Sequence, residues 1–551
     1  MSEVPGPAAG ENDPTGQEVM DAYTEAVGKD LLDYVLNLPG SSDDLQAELD
    51  DTRRETLRVL AGPVAQSVDL SLSTDIAPIF LRSHLLGPYP NPTGVSLARS
   101  LHVLNGGSEV PVTGDTELER AIAAVAREVY PTLLLTPLRP PSLGLPIEAA
   151  SFLFHHPAEL AFQTGALADE VFGKVFTVTE EPTGIAAWVW RSSGAGSTLQ
   201  LVMLSSFILD AAWRRVKVAP GSDQALPREA IAQLRRLRKL LSGRPLKVDG
   251  LVALTGVLLP DGVTTVALSD ASLEVVTPAI REHAPLGFDA KLSGTDSSGA
   301  ATVINYEGDL VLHTTVPLRA RIRAPMSLDD LELFPPDMRE FPAVLDEPAD
   351  RLRMALLLAL SREPQPQIVS TWRYVDDPLG FGRATVWSDA RQAVGLVPVR
   401  LTPAEVALWV EWYEALTAPR AKKIRLAISR VLQASSERRY PSDVLVDAVI
   451  AWENMFGSPQ GEATLRITSS LAILLEADAG RRGELSKKLA EIYGLRSKIV
   501  HGSGTLRDEE IPLCQEALKV AVRAIGLLVR TRPDLLDLPS GKERSLDLLL
   551  G

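Results

Sequence analysis

The spacing of apolar residues switches twice along this chain, so no single repeating architecture can accommodate it. From about Glu18 to Gly243 the spacing is mostly helical. Leu118, Ile122, Val125 and Val129 fall four, three and four apart and predict a helix over 117–129. Ile231, Leu234, Leu237 and Leu241 predict another over 227–241, with Pro227 in the first turn and Gly243 beyond the end. Near Lys247 the period falls to two. Leu251–Thr255, Thr264–Leu268, Leu273–Val276 and Thr302–Tyr306 read as short strands, separated by Pro260-Asp261-Gly262 and the polar stretch 294–299. Glu307-Gly308-Asp309 is expected to turn the chain into a strand from Leu310. A helix near 351–360 and a strand pair around Trp372 and Trp387 then lead to residue 400.

At Thr402 the helical period returns. Thr402-Pro403-Ala404-Glu405 combines an N-cap hydroxyl, a first-turn proline and a glutamate at capping-box spacing. Further helices are expected at about 420–438, 442–456, 462–478, 484–501 and 509–530, punctuated by Pro441, Gly457-Ser458-Pro459, Gly480–Gly483 and Gly502-Ser503-Gly504. Short connections between such helices favour an antiparallel bundle. In the last helix Ile511, Cys514, Leu518, Val522, Ile525 and Val529 form the expected apolar stripe.

The expected fold is therefore multidomain α+β. A disordered tail occupies 1–18, and a mixed α/β, mainly helical domain of unknown function occupies 19–245. A β-rich middle domain follows over 246–400, then an all-α helical bundle over 401–535 and a C-terminal tail over 536–551. A length of 551 residues suits several domains of ordinary size.

Composition narrows the classes. Hydrophobic residues make up 45% and charged residues 23%, which excludes a mainly disordered chain and a coiled-coil rod. The richest apolar run, Leu199–Trp213, is broken by Ser205, Ser206 and Asp210, so no membrane span is expected. The first ten residues lack a basic start and an apolar core and do not read as a secretory signal. Cys514 is the single cysteine, which excludes an internal disulfide framework; it falls on the apolar stripe and reads as an inert core thiol. The expected location is cytoplasmic. Net charge is −16, yet its distribution is uneven. From Leu401 onward there are 21 Lys and Arg against 20 Asp and Glu, whereas the first 400 residues hold 34 against 51. The acidity belongs to the N-terminal part, and broad, nonspecific binding to nucleic acid or anionic membrane is disfavoured.

Common catalytic machinery is absent from the sequence. It has no P-loop, no Gly-x-Gly-x-x-Gly and no Gly-x-Ser-x-Gly, and Gly380-Phe381-Gly382 reads as a turn. His84, His102, His283 and His313 are isolated, His155-His156 precede a proline and read as a loop, and Asp376-Asp377 before Pro378 read as a turn. No metal and no cofactor is expected. The Arg235-Arg236-Leu237-Arg238-Lys239 cluster reads as a solvated basic face rather than an RNA contact.

One constellation stands apart. The helix ending in Tyr493-Gly494-Leu495-Arg496-Ser497-Lys498-Ile499-Val500-His501-Gly502 carries an arginine and a histidine five positions apart. A planar guanidinium grips phosphate oxygens in a bidentate manner, and an imidazole moves protons near neutral pH. Together they can cleave RNA without metal: the 2′-hydroxyl loses its proton and attacks phosphorus while arginine offsets the developing charge. Arg425–Arg430, Asp447–Phe456 and Arg466–Leu475 precede this segment in order and helical context.

Over about 130 residues this C-terminal region resembles the Apea-like branch of the HEPN superfamily (higher eukaryotes and prokaryotes nucleotide-binding). The resemblance implies a helical bundle acting as a metal-independent endoribonuclease that leaves 2′,3′-cyclic phosphate ends. It implies RNA, such as tRNA or other cellular RNA, as the partner, and a homodimer in which two Arg-x4-His motifs face one cleft. Arg496 would bind the scissile phosphate and His501 would transfer a proton or hold the phosphate. Ser497 could orient the RNA backbone, Glu453 could orient Arg496 or His501, and Asn454 is a supporting candidate. The context it implies is a regulated toxin or antiphage defence effector working by abortive infection, with an N-terminal sensing or regulatory region whose trigger is unknown. The alternative is a noncatalytic HEPN module for RNA binding or protein assembly.

Each residue has a plainer reading. Arg496 can brace the bundle through Glu453 or Glu491, Glu453 can be structural, and Tyr493 and Trp452 read as packing residues. On an ideal helix five residues turn about 500°, leaving Arg496 and His501 about 140° apart. A cleft built from two chains removes that difficulty.

Overall fold

Proline, glycine and polar capping residues cut this chain into short elements, and their long-range pairings decide how it divides. The computed structural model describes residues 23–38, 49–69, 77–87, 95–135, 156–176, 186–191, 195–216, 221, 223–281, 291–295, 301–323, 341–360, 362, 366–379, 385–386, 396–458, 463–502 and 505–551. The architecture is α+β, with helices predominating and several small sheets.

Two compact units result. The first comprises 1–248, 317–341 and 376–383; the second comprises 249–316, 342–375 and 384–551. The expected boundary at 245/246 lies close to the end of the first segment. The expectation of 246–400 as a domain of its own is corrected: the chain returns to the first unit twice, and the remaining strands form one unit with the C-terminal helices. The reason lies in strand pairing. Ala320–Arg323 pairs antiparallel with Ala186–Arg191, which pairs in turn with Ala195–Gln200. A period-two pattern reveals a strand and leaves its partner open.

In the first unit the helices Glu117–Val129 and Ala225–Leu241 form where the apolar spacing places them. Thr116 accepts the amide of Glu119 at the first, and Gly243, at φ +82, follows the second in the left-handed conformation that favours glycine. The apolar run near 200–213 is a helix, Leu204–Trp213, in which every residue from Leu204 to Ala212 is buried. It is a core helix, and none of the described helices is long and apolar enough to cross a membrane.

The second unit holds a six-stranded sheet, ordered 385–386, 369–375, 246–255, 310–318, 271–275, 265–267, whose third and fourth strands begin or end in the first unit. The turns at Pro260–Gly262 and Glu307–Asp309 occur as expected, with Gly262 at φ +78 and Gly308 at φ +88. Asp309 accepts hydrogen bonds from the Thr255 hydroxyl and the Gly256 amide. The strand pair near Trp372 forms between 369–375 and 385–386; Trp387 and Gly380–Gly382 lie outside the described residues. The helix expected at 351–360 is longer, Phe341–Ala359, and is tied to the bundle by buried Arg353, which donates to Ser436 and Glu437.

The bundle begins at Pro403–Thr417, where the capping box of Thr402 and Glu405 is complete. The next helices are Arg425–Ser436, Pro441–Phe456, Ala463–Leu475, Ala479–Val500 and Ile511–Arg530. Pro441–Phe456 is central and packs against Arg425–Ser436, Ala463–Leu475, Ala479–Val500 and Ile511–Arg530, burying Leu445, Val449, Trp452, Met455 and Phe456. Replacing such a tryptophan by alanine typically costs about 3–5 kcal/mol.

Three expectations are corrected here. Gly480–Gly483 does not interrupt the helices: Asp478 caps the Arg481 amide at 2.9 Å, and both glycines lie in the first turns that follow. The last helix buries Cys514, Ala517, Val520, Ala521, Ala524, Ile525 and Leu528, so its inner face is rotated toward small residues and leaves Leu518, Val522 and Val529 partly covered. Residues 536–551 are no tail. Gly541–Leu550 is a helix docked on the bundle, and its buried Arg544 donates to the carbonyls of Met455 at 2.8 Å and Asn454 at 3.0 Å. Those carbonyls end the central helix and would otherwise lack partners.

Candidate active site

The long helix Ala479–Val500 buries only a narrow stripe, Leu489, Ile492 and Leu495. Tyr493 and Arg496, three apart and hence on one face, meet Glu453 of the central helix. The Tyr493 hydroxyl donates to Glu453 Oε1 at 2.8 Å, and the Arg496 guanidinium pairs with Glu453 Oε2 at 3.5 Å. Burial, followed by the bond to Glu453, pushes the Tyr493 phenol up to about 12. Among the described residues the buried Arg496 Nε has no hydrogen-bond partner, so the guanidinium has donor capacity to spare.

The expected site residues are only partly brought together. Arg496 and Glu453 meet. His501 stands exposed at the C-cap, its amide bonded to the Ser497 carbonyl at 3.1 Å, and Gly502 at φ +66 ends the helix. The helix stays regular through Val500, so the last turn does not swing His501 onto the Arg496 face. Ser497 is half-buried on the same helix. Asn454 turns away: its side-chain oxygen accepts the amide of Ala427 at 3.2 Å and caps the first turn of Arg425–Ser436. Its role is structural.

Tyr493, read from sequence as packing, is the residue whose part in the cluster was missed; its position three before Arg496 was the available signal. Trp452 is fully buried and is a packing residue. Cys514 is buried as expected, and burial pushes its thiol up to about 11, far from a reactive thiolate. Arg430 and Arg438 both pair with buried Asp447, at 2.9 and 2.6 Å, which assigns those charges to holding helices together.

The remaining polar motifs are neutralised internally. Arg235 pairs with Asp115 and Glu119, Arg236 with Asp376, and Arg238 with Asp169, so the basic face is largely ion-paired. Asp376 also meets Arg215, and Asp377 meets Arg191 at 3.1 Å while accepting the Leu379 amide in a turn. His156 is the N-cap of Pro157–Ala168, its Nδ1 accepting the Ala158 amide, in place of the expected loop; His155 lies outside the described residues. Among the described residues no group of three or more His, Cys, Asp or Glu is placed to hold a metal ion. Comparison with family models, curated proteins and solved structures gives no match to this chain.

Proposed function

We propose that the C-terminal bundle is a metal-independent endoribonuclease of HEPN type, acting as a regulated toxin or antiphage effector under an N-terminal sensing region. The observation that carries this reading is Arg496: half-buried, with an unpartnered Nε and a long 3.5 Å pairing to Glu453. Charge-assisted bonds to a phosphate are shorter, about 2.7–2.9 Å, so an RNA phosphate can replace Glu453 with better geometry. His501 is exposed, and among the described residues its imidazole has no hydrogen-bond partner, which leaves it available to a second reactant. In the reaction a base takes the 2′-hydroxyl proton, the 2′-oxygen attacks phosphorus, and the 5′-oxygen leaves with a proton. The products are a 2′,3′-cyclic phosphate and a 5′-hydroxyl. Arg496 offsets the charge that builds on the nonbridging oxygens, and His501 carries a proton. The angular separation of the two residues favours a cleft shared by two copies of the chain.

A second reading, a noncatalytic RNA-binding or assembly module, draws support from the Arg496–Glu453 pairing, which can serve as a brace. Incubating total RNA and tRNA with purified protein in EDTA distinguishes the two. Wild type is expected to cleave and leave cyclic ends, with Arg496→Ala and His501→Ala each slower by at least about 100-fold. Equal activity in all three proteins would refute the assignment.

A further inference from the structure

The candidate site leaves one buried cation nearby unused. Arg544, on the helix Gly541–Leu550, is 2% exposed and pairs with no carboxylate among the described residues. Its Nη1 is buried and has no hydrogen-bond partner among them. Its other two nitrogens go to backbone oxygens, Nε to the Met455 carbonyl at 2.8 Å and Nη2 to the Asn454 carbonyl at 3.0 Å. Burying a charge without a counter-charge is costly, and an apolar side chain of similar volume docks a helix at least as well. What an apolar side chain cannot do is hold two carbonyls.

Those carbonyls belong to the last turn of Pro441–Phe456, the turn that carries Glu453. Helix ends fray, because their last four carbonyls have no partner within the helix. Here the turn is tied down. The Glu453 carbonyl accepts the Gly457 amide at 2.7 Å, and the next two carbonyls accept Arg544. Beside them the two segments approach backbone to backbone. A Cβ on Gly541 would lie 2.9 Å from the Gly457 oxygen and 3.2 Å from the Asn454 oxygen. Two independent features, a guanidinium and a missing side chain, thus seat Gly541–Leu550 on this one turn.

From the same turn the Glu453 carboxylate accepts the Tyr493 hydroxyl at 2.8 Å and meets Arg496 at 3.5 Å. We propose that Arg544 is a positioning residue for the candidate site: it fixes the backbone beneath Glu453, and through Glu453 it fixes Tyr493 and Arg496. Its effect on rate rests on the nuclease reading, whereas its effect on the turn does not. Displacing a catalytic group by about 1 Å can slow a reaction by about 100-fold. Loss of such alignment lowers kcat and kcat/KM together and leaves KM in place.

Arg544→Met and Arg544→Lys in the full chain, set beside wild type and Asn454→Ala, test this with two readouts. Hydrogen exchange read by mass spectrometry is expected to speed up about tenfold at 450–457 and 489–496 in Arg544→Met, with 403–417 unchanged. RNA cleavage in EDTA is expected to fall by about tenfold or more in kcat, with KM within about twofold. Arg544→Lys, which keeps the charge and can reach one carbonyl, is expected to recover part of both. Asn454→Ala keeps the carbonyl that Arg544 holds, so it loses stability without the fall in kcat or the faster exchange at 489–496. Unaltered exchange at 489–496 in Arg544→Met would overturn the proposal whether or not RNA is cleaved. A wild-type kcat in Arg544→Met, or an equal fall in kcat in Asn454→Ala, would overturn it as well. A silent wild type would refute the nuclease reading, and the exchange readout would still decide whether Arg544 holds the turn.

Discussion

Glu453 and Asn454 are neighbours in sequence with different duties, because one step along a helix turns the side chain by about 100°. Glu453 faces Tyr493 and Arg496, while Asn454 caps another helix. Asn454→Ala should lower stability by about 1 kcal/mol, as loss of a cap does, and leave RNA cleavage by the folded protein unchanged. Tyr493→Phe should do the reverse: a small stability change with altered cleavage, since Glu453 loses the bond that fixes it. Urea denaturation alongside cleavage rates separates the two. A titrating residue adds a pH signature. Glu159 is 1% exposed, and burial pushes its carboxyl up to about 7 despite a bond from Gln163. Its folded state favours the neutral form, so the stability it contributes is complete below the ordinary value of 4.5 and is lost as pH rises through about 7. Denaturation curves between about pH 5 and pH 8 should show wild type losing on the order of 3 kcal/mol from this group, a loss absent in Glu159→Gln.

At the scale of elements, what could be read from sequence was what neighbouring residues dictate. Thr402 and Glu405 announce a helix start through contacts within one turn, and Glu117–Val129 shows its face at regular spacing. The helix Gly541–Leu550 escaped because its buried positions are Gly541, Arg544, Ser545 and Leu548. Their spacing is helical, but only one is apolar, so a hydrophobic pattern cannot register it. Its anchor is Arg544 on the end of the central helix. Ending the chain at residue 537 leaves the carbonyls of Asn454 and Met455 unpaired and uncovers apolar surface. The truncated protein should lose about 3 kcal/mol or more by urea denaturation. An unchanged midpoint would mean that the docked helix contributes nothing to the bundle.

For the whole molecule, the candidate site was legible in its members and not in its assembly. Arg496, His501 and Glu453 are identifiable from one stretch and one earlier helix, but the division into two interleaved units depends on strand pairings between distant segments. The regular helix holds Arg496 against Glu453 and leaves His501 exposed at its end. On this account catalysis requires the arginine of one copy and the histidine of another. The most direct test is to mix purified Arg496→Ala and His501→Ala proteins, each inactive alone, and measure RNA cleavage in EDTA. Random re-pairing into two-fold dimers should restore about a quarter of wild-type activity, because mixed pairs retain one arginine and one histidine. A mixture as silent as its components, beside an active wild type and with exchange of chains verified, would contradict the shared site.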